Sequence, residues 1–255
     1  MRVRVISDLH GAADHLRAAG RDSDVLVVLG DLINVVDYRS MNGILARVFG
    51  REPVAEAAAL RARGRYEEAR TTLRRAVGDE LEVRDRFAAL AREDYERVFE
   101  AMPEGTVVTY GNVDIPDLLR DLAPPGVRVV DGEVIELAGL RWGIVGGGMR
   151  TPLGIPGERS EEEHAGALAS LGPVDVVGTH APPRIPWYCY DTVAERFEPG
   201  SDGLVAYIVG HRPRFALFGH VHQPLVDRGA IGPTELVNVG HFRAHGVGWD
   251  YEGPD

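Results

Sequence analysis

Short apolar runs that stop at a glycine or a polar pair set the rhythm of this chain, and they alternate with stretches of helical spacing. Positions 2–6 alternate arginine with valine before an isoleucine, the period-two pattern of a half-buried strand. Val25-Leu26-Val27-Val28-Leu29 is apolar throughout and reads as a strand covered on both faces, ending at Gly30-Asp31. The runs 106–110, 174–179 and 215–218 repeat that form and stop at Gly111-Asn112, at His180 and at Gly219-His220. Three more runs, 127–130, 134–137 and 140–145, are separated by Asp131-Gly132 and Gly139 and predict a meander, with antiparallel pairing in part of the sheet. The stretch 236–241, with Trp249 and Tyr251, predicts closing strands.

Helical periodicity fills the gaps between these runs. A short helix is predicted over 14–19, another over 204–209, and Ser160-Glu161-Glu162-Glu163 is a capping-box start to a helix reaching about 171. Pro116 suits the first turn of a further helix, which Asp114 could cap. From about 39 to 101 the text turns Ala-, Arg- and Glu-rich without strand signals, and this is the expected insertion. Leu81, Phe87, Leu90, Ala91, Tyr95, Val98 and Phe99 recur at helical spacing and predict an amphipathic helix packed on the rest. Residues 60–76 predict a helical hairpin, serving as a cap over the site or as a homodimer surface.

With 255 residues, 44% of them hydrophobic and 26% charged, the chain is expected to form one α/β domain with a full core. A net charge of −11 disfavours nucleic acid as a partner, because nonspecific binding to a phosphate backbone needs clustered cations. All 28 basic residues are arginine, which excludes a Walker A lysine, a kinase-type lysine and Schiff-base chemistry. The single cysteine, Cys189, excludes a disulfide framework and fits a reducing compartment. Residues 1–8 leave no room for a secretory signal and no run is long enough to span a membrane, so the expected location is cytoplasmic.

Chemistry concentrates where the runs stop. Asp8 and His10 are two apart after the first strand, so in extended backbone both point one way and offer a hard oxygen and a borderline nitrogen to one cation. Asp31, one residue past Gly30, reads either as a cap or as a carboxylate delivered beyond a strand's carboxyl end. His220 and His222 share a face by the same spacing and could serve adjacent metals. Gly146-Gly147-Gly148 is either a surface turn or a loop whose amides approach an anion, with Arg150 as a phosphate fork. Trp187, Tyr188 and Tyr190 either line a cleft or pack in the interior. No Gly-x-Ser-x-Gly elbow is present for a serine hydrolase.

Taken together, Asp8-x-His10, Gly30-Asp31, Gly111-Asn112-x-Asp114, His180 and Gly219-His220-x-His222 closely resemble the calcineurin-like metallophosphoesterase family, across nearly the whole chain outside the insertion. The resemblance implies a four-layer αββα sandwich of two mixed β-sheets flanked by helices, with a two-metal centre at one edge. It implies Asp8, His10 and His222 as ligands of the first metal, Asn112, His180 and His220 as ligands of the second, and Asp31 as the bridge. The cofactors expected are two divalent transition-metal ions, manganese, iron, zinc or nickel, with manganese favoured. Two cations about 3.5–4 Å apart acidify a bridging water, and the hydroxide so formed is the expected nucleophile on a small phosphoester.

One position departs from the family pattern. Many members carry a histidine, assigned to the leaving group, where this chain has Val113, and valine donates no proton. Branches of the family in which that histidine is replaced tend towards phosphodiesterase activity, so the resemblance implies phosphodiester hydrolysis. The alternatives are a phosphomonoesterase or nuclease of the same fold, or a non-catalytic metal-binding scaffold. His241 is a candidate stand-in acid and Asp114 a candidate for orienting a ligand, while His15, His164, His211 and His245 receive no role.

Overall fold

Alternation along the strands sends neighbouring side chains to opposite faces, and three apolar clusters result from that sorting. The computed structural model describes residues 1–37, 40–76, 80–152 and 154–253. In chain order the strands are β1 (Arg2–Ile6), β2 (Val25–Leu29), β3 (Thr106–Thr109), β4 (Val127–Val129), β5 (Glu133–Leu137), β6 (Leu140–Val145), β7 (Gly148–Met149), β8 (Glu158–Arg159), β9 (Val176–Thr179), β10 (Tyr190–Asp191), β11 (Arg196–Phe197), β12 (Phe215–Phe218), β13 (Arg228–Ile231), β14 (Thr234–Asn238) and β15 (Trp249–Glu252). The helices are α1 (Ala13–Ala19), α2 (Ile44–Phe49), α3 (Arg51–Ala62), α4 (Tyr66–Arg75), α5 (Glu80–Ala101), α6 (Pro116–Leu122), α7 (Glu161–Ser170), α8 (Pro186–Cys189), α9 (Asp202–His211) and α10 (Phe242–His245).

One large sheet has the order β15-β1-β2-β3-β4, parallel except for β15, and the other runs β13-β14-β12-β9-β6-β5, parallel in its middle four strands. Val3, Val5, Val27 and Leu29 of the first sheet meet Trp142, Val176, Phe215 and Leu217 of the second in a shared core. The opposite faces carry Ile6, Leu26 and Val28 against α1, α2, α5 and α6, and Val177, Ala216 and Phe218 against α7 and α9. Helices thus lie outside each of two mixed sheets, the four-layer α/β arrangement expected from the resemblance.

Local chemistry explains several boundaries. Ser160 accepts from the Glu163 amide at 3.2 Å and Glu163 accepts from the Ser160 amide at 2.7 Å, a complete capping box on α7. The meander departs from expectation at its first member, because β4 pairs in parallel with β3 and only β5 and β6 form the antiparallel hairpin. The chain changes sheets at Asp131-Gly132, where the Gly132 amide already bonds to Ile144 of β6 at 2.8 Å.

Arg39, taken as the start of the insertion, lies outside the described residues. In the stretch expected to be an insertion, Ala91, Tyr95, Val98 and Phe99 of α5 are buried against the first sheet, whereas Leu81 is 63% exposed, so the apolar stripe starts later than its sequence spacing indicates. Helices α3 and α4 form the expected hairpin, and their buried residues Val54, Ala57 and Ala69 belong to none of the three clusters.

Candidate metal centre

Five parallel strands end at one rim between the sheets, and each delivers polar side chains there: Asp8 and His10 after β1, Asp31 after β2, Asn112 after β3, His180 after β9, and His220 and His222 after β12. Two of those turns lie against each other. Gly30 has φ +97°, and a Cβ on it would come within 2.7 Å of Gly111 Cα. A Cβ on Gly111 would in turn strike Asp31 Oδ1 and approach His180 Cε1 to 2.7 Å, so only glycine lets the β3 turn close over the carboxylate. Asp8, His10, Asp31 and His220 all have positive φ, from 41° to 70°, which costs energy in a residue with a side chain and clusters at functional sites.

The side chains form two groups. Asp8, His10 and His222 offer ligand atoms lying within 4.8 Å of one another, and so do Asp31, His180 and His220. Asn112 joins the second group, with Oδ1 3.0 Å from His180 Nε2. His180 Nδ1 is 2.9 Å from the Leu29 carbonyl, which can only accept, so Nδ1 carries the hydrogen and Nε2 presents a lone pair. That lone pair faces two further acceptors, Asn112 Oδ1 and, at 3.4 Å, Asp31 Oδ1. The first group is similar, with His10 and His222 Nε2 3.0 Å apart and Asp8 Oδ1 3.2 Å from His222 Nε2. His220 Nε2 is buried with no hydrogen-bond partner among the described residues. In the second group acceptors converge without a donor, which is what a cation requires, and mixed carboxylate, amide and imidazole ligands fit a divalent transition metal.

Asp31 touches both groups. Its Oδ2 is 3.7 Å from His10 Nε2 and its Oδ1 3.4 Å from His180 Nε2, while the Val113 amide donates to Oδ1 at 3.1 Å. Burial and the charges of Asp8 and Asp114 push the Asp31 carboxyl well above the usual range. Burial acts in the same direction on Asp8, but the hydrogen bond and charge of His222, with His180 and His10, outweigh it and hold Asp8 well below that range. Burial lowers His10, His220 and His180, the last to about 4, so these imidazoles are neutral at pH 7 and competent as ligands.

Asp114 lies beneath the centre. It is fully buried and accepts from the amides of Leu32 at 3.1 Å and Gly111 at 2.8 Å and from the Tyr95 hydroxyl at 3.0 Å. It does not cap α6, whose N-cap residue is Ile115. His241 stacks on His222 with ring centroids 3.9 Å apart, has a buried Nδ1 without a partner, and is lowered to about 4 by burial and His222. Arg150 is exposed and paired with Glu163 at 3.2 Å. The arginines lining the cleft beside His10 and His222 are Arg196 and Arg243. Arg243 donates to the His10 carbonyl at 3.1 Å and to Asp37 at 2.6 Å.

Arg243 and Tyr95 escaped the sequence reading. Neither sits in a motif: Arg243 follows the last polar strand end by a few residues, and the hydroxyl of Tyr95 is hidden in an apolar stripe. A tyrosine in such a stripe is the one available signal, since a buried phenol needs a partner.

The family model described as calcineurin-like phosphoesterase matches residues 1–224. One solved structure, 18% identical, covers 94% of this chain and 91% of its own with a TM-score of 0.61. The structure of TT1561 of Thermus thermophilus, 13% identical, covers 95% of this chain and 90% of its own with a TM-score of 0.53. Likeness at these identities is one of fold. None of the curated proteins matches the chain.

Proposed function

The chain belongs to the calcineurin-like phosphoesterases, a family of hydrolases that binds two divalent metals, and on that premise we propose that it is a phosphodiesterase. Asp8, His10 and His222 would hold one divalent cation and Asn112, His180 and His220 the other, with Asp31 standing between the two groups as a ligand available to both. The observation that carries this reading is the Asp31 carboxylate, with one oxygen toward each group of ligands. Two divalent cations, manganese favoured, supply acidification of water and neutralisation of phosphoryl charge.

The chain's own residues do the rest. The Val113 amide and the Leu29 carbonyl fix Asp31 and His180 in ligating orientation. Asp114 ties the turns after β2 and β3 together through Leu32 and Gly111, making it a positioning residue. Arg243, held by the His10 carbonyl and Asp37, supplies positive charge to the cleft, a role not extended to Arg150.

Diesters are favoured because branches of the family that lack a histidine at the position of Val113 tend towards phosphodiesterase activity, and Val113 itself provides no acid for a leaving group that needs prompt protonation. His241 is the side chain that takes up the leaving oxygen. Being neutral at pH 7, it donates a hydrogen bond to that oxygen through its ring N–H, and the proton that completes the leaving alcohol comes from water. A net charge of −11 supports a small phosphoester over a polymer.

Purified protein with manganese should hydrolyse bis-p-nitrophenyl phosphate faster than p-nitrophenyl phosphate, measured as kcat/KM. Preference for the monoester by tenfold would replace the diester reading, and absence of both activities would replace the catalytic one.

A further inference from the structure

A cleft of about 540 Å³ opens beside the first ligand group, with His10, His222, His241 and Arg243 along it. That volume is in the range of pockets enclosing whole organic ligands, roughly 300–1,000 Å³. It holds much more than a phosphate. Helix α3 of the inserted hairpin contributes Ala58 and Ala62, and the turn between β10 and β11 contributes Val193 and Ala194. Small apolar side chains from two separate segments leave smooth hydrocarbon faces, which favour a flat apolar group over water. Charged groups line it too: Arg243 is anchored next to His10 and paired with Asp37, and Asp191 and Arg196 flank the Val193-Ala194 turn. The cleft thus sets alanine and valine side chains beside the ligand group, so that one molecule can present an anion to the ligands and an apolar plate to the wall.

We propose that the α3–α4 hairpin is the substrate-selecting wall of this enzyme, receiving a flat organic group of phenyl or nucleobase size esterified to the phosphate. The proposal rests on the metal centre argued above. Val54, Ala57 and Ala69, the buried residues of the hairpin, belong to none of the three apolar clusters, so changes on its cleft side reshape the wall and leave the ligand-bearing turns alone. Ala58 is half-buried and Ala62 exposed, so a longer side chain at either position has room without repacking a core.

The test compares two anions of equal charge that differ only in the plate, phenylphosphonate and methylphosphonate, binding to the manganese-loaded protein by titration calorimetry. Phenylphosphonate should bind at least about tenfold more tightly. Ala58→Gln and Ala62→Gln keep helix propensity and charge but place an amide in the cleft, which disfavours an apolar group there. Each should bring phenylphosphonate to within about threefold of methylphosphonate, with methylphosphonate affinity unchanged. Equal binding of the two anions to the native protein, or a tenfold preference surviving in both variants, overturns the proposal while leaving the metal centre standing. Failure of the native protein to bind methylphosphonate at all overturns the metal centre, and this inference with it.

Discussion

The hydroxyl of Tyr95 donates to Asp114 Oδ1 at 3.0 Å and accepts from the Ile115 amide at 2.8 Å, so α5 reaches under the candidate centre and holds its base. Tyr95→Phe removes a donor from a buried carboxylate and an acceptor from a buried amide. Leaving such groups unpaired costs about 1–3 kcal/mol. Denaturant unfolding of the metal-free variant should show a loss of that size, and metal affinity should fall by about 10–100-fold, as for partners behind metal ligands.

Asp31 should show a trade between stability and activity. Its folded pKa is raised, so the folded state gains stability below the unfolded value and loses it as pH rises through the folded one. At pH 8 the metal-free native protein is on the losing side. Asp31→Asn, neutral at every pH, should melt higher than the native protein in chelator, with a gap wider at pH 8 than at pH 5. With manganese the same variant should lose about a hundredfold or more in kcat and bind fewer than two metals per chain, measured by elemental analysis.

For His241, the leaving group is the variable that matters. His241→Ala should slow hydrolysis of a diester with an alkyl leaving group by about tenfold or more, and have little effect on p-nitrophenolate release, where protonation matters least. Equal losses on both substrates would assign His241 to packing against His222.

His164, remote from the ligands on α7, supplies a pH effect independent of metal. Its Nδ1 lies 3.0 Å from Ser201 Oγ, and burial lowers it from 6.5 to about 4. The unfolded chain therefore binds the extra proton, and stability is lost as pH falls through the window from 6.5 to 4, by up to about 3 kcal/mol. In His164→Gln the slope of unfolding free energy against pH across that window should be smaller by about one proton.

The polar strand ends were legible because their chemistry is local. Each sits where an apolar run stops, so the run fixes which end of the strand the residue occupies, and the sheet places those ends on one rim. Asp114 was ambiguous because one carboxylate after a strand and before a helix serves equally as a cap or as a buried acceptor. Only the approach of Leu32 and Tyr95, from distant segments, decides between them. The strand at 127–129 was assigned to the wrong neighbours for a similar reason, since sequence shows that strands follow one another but not that the chain crosses to another sheet between them. Arg243 was invisible, because its partners are a backbone carbonyl and a carboxylate more than 200 positions away.

The separation of Val54, Ala57 and Ala69 from the three apolar clusters has an evolutionary reading. A hairpin that contributes little to the interior can be exchanged, lengthened or trimmed without asking the reaction chemistry to be reinvented. A change in α3 or α4 would then be felt at the wall of the cleft and not at the rim of carboxylates and imidazoles.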